Sequence, residues 1–347
     1  MPVPLNPLDR LLLISLNQGP APLLDIMGGL SFHVIVAALR LDLFEQLHSQ
    51  PLTISELAAA THCSEIGLAI LLDVLESLGY VKKRGERYVS SAMTERWMTR
   101  RLPTSVHSGF PFYSQAINDL FPYVQESIKS GSPYRNFYDW INDHPEAAQM
   151  YQRFMMAIAR MTTPDLSRRI RLKRTCRKVL DVGGGHGLYS IALCQKYDSI
   201  SVTIFDSPYA SDIAEQNVKA ARLEDRITVL TGDYFSDELG ADYDAVLLFN
   251  IVHEHSDSDN RKLIGKISDS LADGGSIIIL DILREKKVLK SAQLITRMYS
   301  LLFFHTLGGQ TYSYDEIADW LSSCGLSAIR RAVLHRSGLS LISAEAR

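Results

Sequence analysis

The alternation of hydrophobic and polar positions changes character along the chain. From Ser31 to Leu47 apolar residues recur at spacings of three and four, which predicts an amphipathic helix. The next segment, LTISELAAATHCSEIGLAILLDVLESLGYVKKRGERYVSS, stays helical before it turns strand-like. Thr53 or Ser55 is placed to cap one short helix, and Ser64 a second that Gly79 ends. YVKKRGERYV reads as two short strands about a glycine turn. Helix, helix and hairpin form the outline of a winged helix. Residues 104–170 again read as helix and are dense in aromatics between Phe110 and Trp140. Within them Tyr151–Met161 sets Met and aromatic side chains at helical spacing, a stripe that suits a core or the wall of a flat apolar pocket.

After Ile170 the period changes. RKVLDVGGGHG, SVTIFD, DRITVLTGD, YDAVLLFN and GSIIILD are short runs rich in Val, Ile and Leu. Helical stretches separate them at Leu188–Lys196, Tyr209–Ala221 and Ser258–Leu271. Strands alternating with helices predict βαβ units and a parallel sheet covered on both faces. Beyond Asp281 the pattern predicts a helix to about Thr306, a break at Gly308-Gly309 and a helix near Ser313–Ser323. LSAIRRAVL and SGLSLISAEA then make an antiparallel edge. The expected organisation is a winged-helix-like domain over 1–105, helices over 106–170, and an α/β domain over 171–347.

Composition narrows the partners. The chain has 347 residues, 46% hydrophobic and 22% charged, with a net charge of −3. That is ordinary for a globular protein of two domains and unlike a generally basic nucleic-acid binder. The winged-helix outline suggests DNA, but Thr53–Gly79 carries Glu56, Glu65, Asp73 and Glu76 and no Lys or Arg. Phosphate contacts dominate DNA affinity, so this face is read as packing and dimerisation, and no nucleic acid is expected. Cys63, Cys176, Cys194 and Cys324 are far apart in sequence, which argues against a zinc knuckle or a disulfide framework. MPVPLNPLDR lacks the basic and apolar regions of a signal peptide, and the longest uncharged run, Ile26–Leu39, is short for a bilayer. The expected setting is cytoplasmic, with no membrane partner.

Chemistry gathers at the strand ends. In an open α/β sheet, ligands bind beyond the carboxyl ends of the strands. Asp181, Asp206, Asp233 and Asp281 stand there, beside the loop Gly183-Gly184-Gly185-His186-Gly187. Neither GxGxxG nor GK[ST] can be read from this loop, which argues against a dinucleotide or a P-loop nucleotide. Asp181, two residues before Gly183, disfavours a phosphate and favours a cation. Asp206 is placed for ribose hydroxyls. Asp233 is placed for an adenine amino group, with Tyr234 against the ring. A cationic nucleoside without phosphates is S-adenosyl-L-methionine.

LDVGGGHG, IFDSP, TGDYF, FNIVHEHSD and GGSIIILD, in that order, resemble the motifs of a class I S-adenosylmethionine-dependent methyltransferase of the caffeate and hydroxyneurosporene O-methyltransferase type. The resemblance covers nearly the whole chain. It implies a Rossmann-like, doubly wound, mostly parallel sheet behind an N-terminal, mainly helical winged-helix domain that forms a homodimer. It implies a small-molecule aromatic or polyketide-like acceptor, whose pocket is expected from Tyr151–Met161, the Tyr299–Phe304 segment and aromatics between Phe110 and Tyr138. It assigns His253, in the segment the family writes roughly as HDWSD, as the catalytic base, and Asp281 as its first orienting acid. It places Asp181, Gly183, Gly185, Asp206, Asp233, Tyr234 and Met155 at the cofactor. No metal is expected, because HExxH is absent and His253, Glu254 and His255 are too close in sequence to converge on one ion.

Three positions depart from the family pattern. Its Trp in HDWSD is His255, the position four before the base is Phe249, and its second orienting acid, in a GGxE segment, is Thr311. Those departures leave open a nitrogen or carbon acceptor or a non-methylating relative. A cofactor-sensing DNA regulator is the reading from another class.

Overall fold

The computed structural model describes residues 7–285, 289–334 and 337–346. The chain divides into two compact units: the residues up to Asp119 with His144–Ile158, and Leu120–Asp143 with the residues from Ala159 onward. The stretch 106–170 is thereby shared between the two units.

In the first unit the expected helix over Ser31–Leu47 is broken. Helices run Leu23–Arg40 and Leu43–Ser49, and Asp42 between them sits at φ 54°. Asp tolerates this left-handed conformation better than most residues, and Arg100 holds its carboxylate at 2.5 Å. Thr53, not Ser55, caps Ile54–Thr61, in a capping box with Glu56. Ser64 caps Glu65–Ser77, and Gly79 follows that helix at φ 80°. Strands β1 (Val81–Arg84) and β2 (Arg87–Ser90) pair antiparallel about Gly85, and Leu52 bridges to Tyr88. Leu43, Phe44, Leu57, Leu68, Leu72 and Tyr88 fill the core of this winged helix.

Helix Leu23–Arg40 is longer than its uncharged run, because Asp25 and Arg40 fall at its ends. By length and composition alone it could cross a membrane, a test that core helices of water-soluble proteins also pass. Its Leu23, Ile26, Met27 and Leu30 are exposed at helical spacing, and so are Ile66 and Ile70 on Glu65–Ser77.

The second unit contains a seven-stranded sheet. Its strands are β3 (Lys178–Val182), β4 (Ser201–Asp206), β5 (Ile227–Thr231), β6 (Tyr243–Phe249), β7 (Leu271–Asp281), β8 (Ser327–Val333) and β9 (Ser340–Glu345). They lie in the order β5-β4-β3-β6-β7-β9-β8. β3 to β7 are parallel; β9 is antiparallel to β7 and to β8. Side chains alternate across the sheet. Val179, Leu247, Ile278 and Leu280 enter one core, and Leu180, Val182, Val246, Leu248, Ile277 and Ile279 the other. Strands buried on both faces read as continuous apolar runs, as the sequence predicts. Helices Leu188–Lys196, Pro208–Ala220, Asp257–Ser270, Lys290–Leu307 and Tyr314–Ser323 connect the strands. The order reverses at β3, whose neighbours are β4 and β6, so the crevice for a ligand opens at the carboxyl end of β3.

Candidate active site

The glycine loop leaves β3 with a bond from Gly183 N to Phe205 O at 2.8 Å. Gly183 adopts φ 67°, and a Cβ there would meet Ile251 Cδ1 at 2.3 Å. A side chain is therefore excluded by conformation and by space. Gly185, at φ 55°, faces open space, so the loop presents bare backbone toward the crevice.

Asp206 stands against this backbone. Its Oδ2 accepts from Gly185 N at 2.7 Å and its Oδ1 from Ser207 N at 2.6 Å. Burial raises its pKa, and those two N–H bonds oppose the rise. Asp181 lies beneath the loop, 1% exposed, and its Oδ2 accepts from Ser190 Oγ. Its Oδ1 is buried with no partner among the described residues. Burial pushes the Asp181 pKa up to about 7, Ser190 opposing and the charge of Asp206 adding to the rise. Two carboxyl groups, one with its ionisation disfavoured by the other and with an oxygen unused, beside open backbone, suit a cation that carries hydroxyl groups. The residues present fit S-adenosylmethionine on that ground.

Asp233 is exposed. Its Oδ1 accepts from Phe235 N at 2.8 Å and its Oδ2 from Ser236 Oγ at 3.2 Å, so its carboxylate orders its own turn. The Tyr234 ring lies 3.9 Å from the Cβ position of Gly183, and its hydroxyl is 2.7 Å from His255 Nε2. Met155 lies half-buried on helix Pro145–Arg169, in the part of it that belongs to the first unit.

The candidate base follows β6. Asn250 takes φ 58° and donates to Leu280 O, turning the chain back toward the loop. His253 then falls in a short 3₁₀ turn, Val252–Glu254. Its Nδ1 is 2.7 Å from Asp281 Oδ1, and its ring stacks on Phe303 at 3.9 Å between centroids. The imidazole is 12% exposed and Asp281 1%. Burial acts to lower the His253 pKa, but the charges of Asp281 and Glu254 outweigh it and the net shift is upward. A carboxylate can only accept, so the neutral ring carries its proton on Nδ1 and leaves the Nε2 lone pair free. That is the form a general base requires.

Several neighbours are not legible in the motifs. Tyr138 Oη donates to Glu254 Oε1 at 2.8 Å, joining positions 116 residues apart. Burial pushes Glu254 up to about 7, His253 and Tyr138 pulling it down. Phe303 lies in the Tyr299–Phe304 segment expected at the acceptor pocket, and it stacks on Tyr299. Thr311, at the family's second acid position, is buried and bonds to Thr296 O and Ser300 Oγ, both on helix Lys290–Leu307. Tyr312 Oη holds the His255 carbonyl at 2.7 Å. A Cβ on Gly309 would stand 2.1 Å from His253 O, so the glycine break lets the two segments touch. Burial pushes the His255 imidazole down to about 4, which keeps it neutral near pH 7.

The chain is similar to known proteins over most of its length. A family model described as the O-methyltransferase domain matches residues 120–327, and one for the O-methyltransferase dimerisation domain matches 24–100. The chain is 27% identical over 315 residues to a 3-hydroxy-5-methyl-1-naphthoate 3-O-methyltransferase of Streptomyces sahachiroi, covering 90% of each. It is 26% identical to an L-tyrosine C(3)-methyltransferase of Streptomyces lavendulae, over 87% of this chain and 85% of that one. Human N-acetylserotonin methyltransferase, solved with S-adenosylmethionine, superposes with a TM-score of 0.81 at 22% identity, over 100% of this chain and 99% of that one. With the enzymatic domain matched over more than half of its length, this chain belongs to the S-adenosylmethionine-dependent O-methyltransferase family.

Proposed function

We propose that the enzyme methylates a hydroxyl group of an aromatic or polyketide-like small molecule, with His253 as general base and Asp281 as the acid that orients it. Bound S-adenosylmethionine supplies an activated methyl group on a sulfonium sulfur. The protein's task is to align an acceptor oxygen with that carbon and to remove the oxygen's proton. Alignment supplies most of the acceleration. Asp281 fixes the His253 tautomer, and His253 Nε2 takes the proton. The charges of Asp281 and Glu254 then stabilise the resulting imidazolium. Phe303 and Tyr299 give a flat apolar surface beside the base, suited to an aromatic ring. The single observation that carries this reading is the 2.7 Å contact between His253 and Asp281 at the rim of the glycine loop.

Asp181, Gly183, Gly185 and Asp206 are proposed to hold the cofactor, with Tyr234 and Asp233 at its adenosine; for Met155 the support is the family resemblance alone. The exposed apolar stripes on Leu23–Arg40 and Glu65–Ser77 fall in the dimerisation domain, and we assign them to a homodimer contact in a cytoplasmic enzyme. Incubation with labelled cofactor and a panel of phenols and naphthols tests the activity. His253→Ala is expected to lower turnover on an accepted phenol by about 10²–10⁴-fold. Wild-type turnover in that variant would overturn the assignment.

A carbon acceptor is the second reading, favoured by the similarity to the L-tyrosine C(3)-methyltransferase. Deprotonating a phenol activates both its oxygen and the adjacent ring carbon, so the same base serves either outcome. Carbon-13 NMR of the product separates them.

A further inference from the structure

The family pattern puts two acids around its base, and Thr311 removes one. Thr311 offers no replacement: its hydroxyl and its N–H bond to Thr296 and Ser300. A carboxyl group also follows the base in the chain: Glu254 stands where the family segment HDWSD has its first Asp. Glu254 is the next residue in the same 3₁₀ turn, is 8% exposed, and has no Lys or Arg within ion-pair distance among the described residues. Tyr138 Oη grips its Oε1 at 2.8 Å, which fixes where the charge sits. Leaving a buried carboxyl without a cation is costly unless a neighbour that becomes positive uses it.

Resting on the proposed role of His253, we propose that Glu254, positioned by Tyr138, is the second acid of this site and stabilises protonated His253 in place of the acid missing at Thr311. Glu254 acts through the imidazole and is a positioning residue. The charged and titratable groups that act on the pair are Asp281 on β7, Asp206 at the end of β4, His255 on the same loop, and Tyr138. Glu254 raises the pKa of His253, and His253 lowers that of Glu254. Such a pair shares its proton, and its titration belongs to both groups. Proton balance is simple: the acceptor's proton moves to His253 Nε2, and no proton need reach Glu254 in the same step.

The test is an NMR titration of the His253 imidazole, with ¹³C-labelled histidine in the cofactor-free protein, comparing wild type, Glu254→Gln and Tyr138→Phe. The His253 midpoint is expected to move to lower pH in Glu254→Gln. It should move the same way, but less, in Tyr138→Phe, which keeps the carboxyl and loses its donor. In the methyl-transfer assay kcat should fall about tenfold in Glu254→Gln with KM within about twofold, the loss of one of two supporting charges in a general-base step. The acid limb of the pH profile should follow the NMR midpoint. Glu254→Asp should recover part of the loss. An unchanged His253 midpoint in either variant, each verified as folded by circular dichroism, overturns the proposal. The titration needs no acceptor, so a failure of the wild-type protein to methylate phenols would refute the functional reading and leave this coupling separately measured.

Discussion

Asp281→Asn changes one oxygen to an NH2 group and removes one charge, and the structure sets the size of the effect. Asp281 Oδ1 accepts from Ile282 N at 2.7 Å and contacts His253 Nδ1 at the same distance; Oδ2 faces His253 N at 3.4 Å. Whichever way the new side-chain amide is turned, its NH2 group meets at least one of these donors. Replacing a charge-assisted hydrogen bond by a neutral one costs about 1–1.5 kcal/mol, and a donor left facing a donor about 1–3 kcal/mol. The sum, about 2–4.5 kcal/mol, falls mainly on the transition state, where His253 becomes positive. At about 1.4 kcal/mol per decade this lowers kcat by about 30–1,500-fold. Steady-state kinetics on an accepted phenol measure the loss, and calorimetry with the demethylated cofactor measures binding. Binding is expected to stay close to wild type, because the described bonds of Asp281 run to His253 and Ile282 and not to the glycine loop. A kcat indistinguishable from wild type would refute the role of Asp281. An equal loss of cofactor affinity would show that Asp281 acts on the cofactor pocket instead.

Further predictions follow from the loop, the acids and the exposed helix faces. A cation bound beside Asp181 favours its ionised form, so S-adenosylmethionine should bind with proton release and bind more tightly as pH rises through about 7. Calorimetry in buffers of different ionisation heat checks this, and Asp181→Asn should abolish the exchange. The sign for stability is opposite in the free protein. A pKa raised from 3.8 to about 7 contributes stability that is present below pH 3.8 and lost as pH rises through 7, so Asp181→Asn should raise Tm on the alkaline side relative to the acid side. Gly183→Ala forces a side chain into φ 67° at a cost of about 1–2 kcal/mol and presses it against Ile251, so Tm is expected to fall by at least roughly 2–8 °C in a thermal melt. Ile70→Glu, on an exposed face of Glu65–Ser77, should leave the monomer fold intact and convert a dimer to monomers by sedimentation equilibrium.

Much of this architecture is legible in the sequence because the sheet is buried on both faces. β3, β6 and the latter half of β7 are mostly apolar; Gly183 follows β3, Asn250 follows β6, and the apolar run of β7 stops at Asp281. The caps at Ser64 and Ser313 mark their helices by chemistry that acts between residues three apart. The break at Asp42 leaves no such trace, since a left-handed Asp looks like any other polar residue on a helix surface. The site divides in the same way. His253 and Asp281 can be placed by motif, and they meet because β6 and β7 are neighbours in register, with Phe249 beside Leu280. Tyr138 and Glu254 cannot be paired, because nothing local to either residue encodes a contact across 116 positions. Asp181, by its place before the glycines, reads as a carboxylate for a cation. The structure buries it, leaves its Oδ1 without a partner among the described residues and sets the charge of Asp206 nearby.

The most direct test of the central claim is a crystal structure with the demethylated cofactor and an accepted phenol bound together. The ribose hydroxyls are expected at Asp206 and the acceptor oxygen about 2.6–3.2 Å from His253 Nε2, between that nitrogen and the cofactor sulfur. An acceptor oxygen turned away from His253, or a cofactor seated away from the Gly183–Gly187 loop, would contradict it.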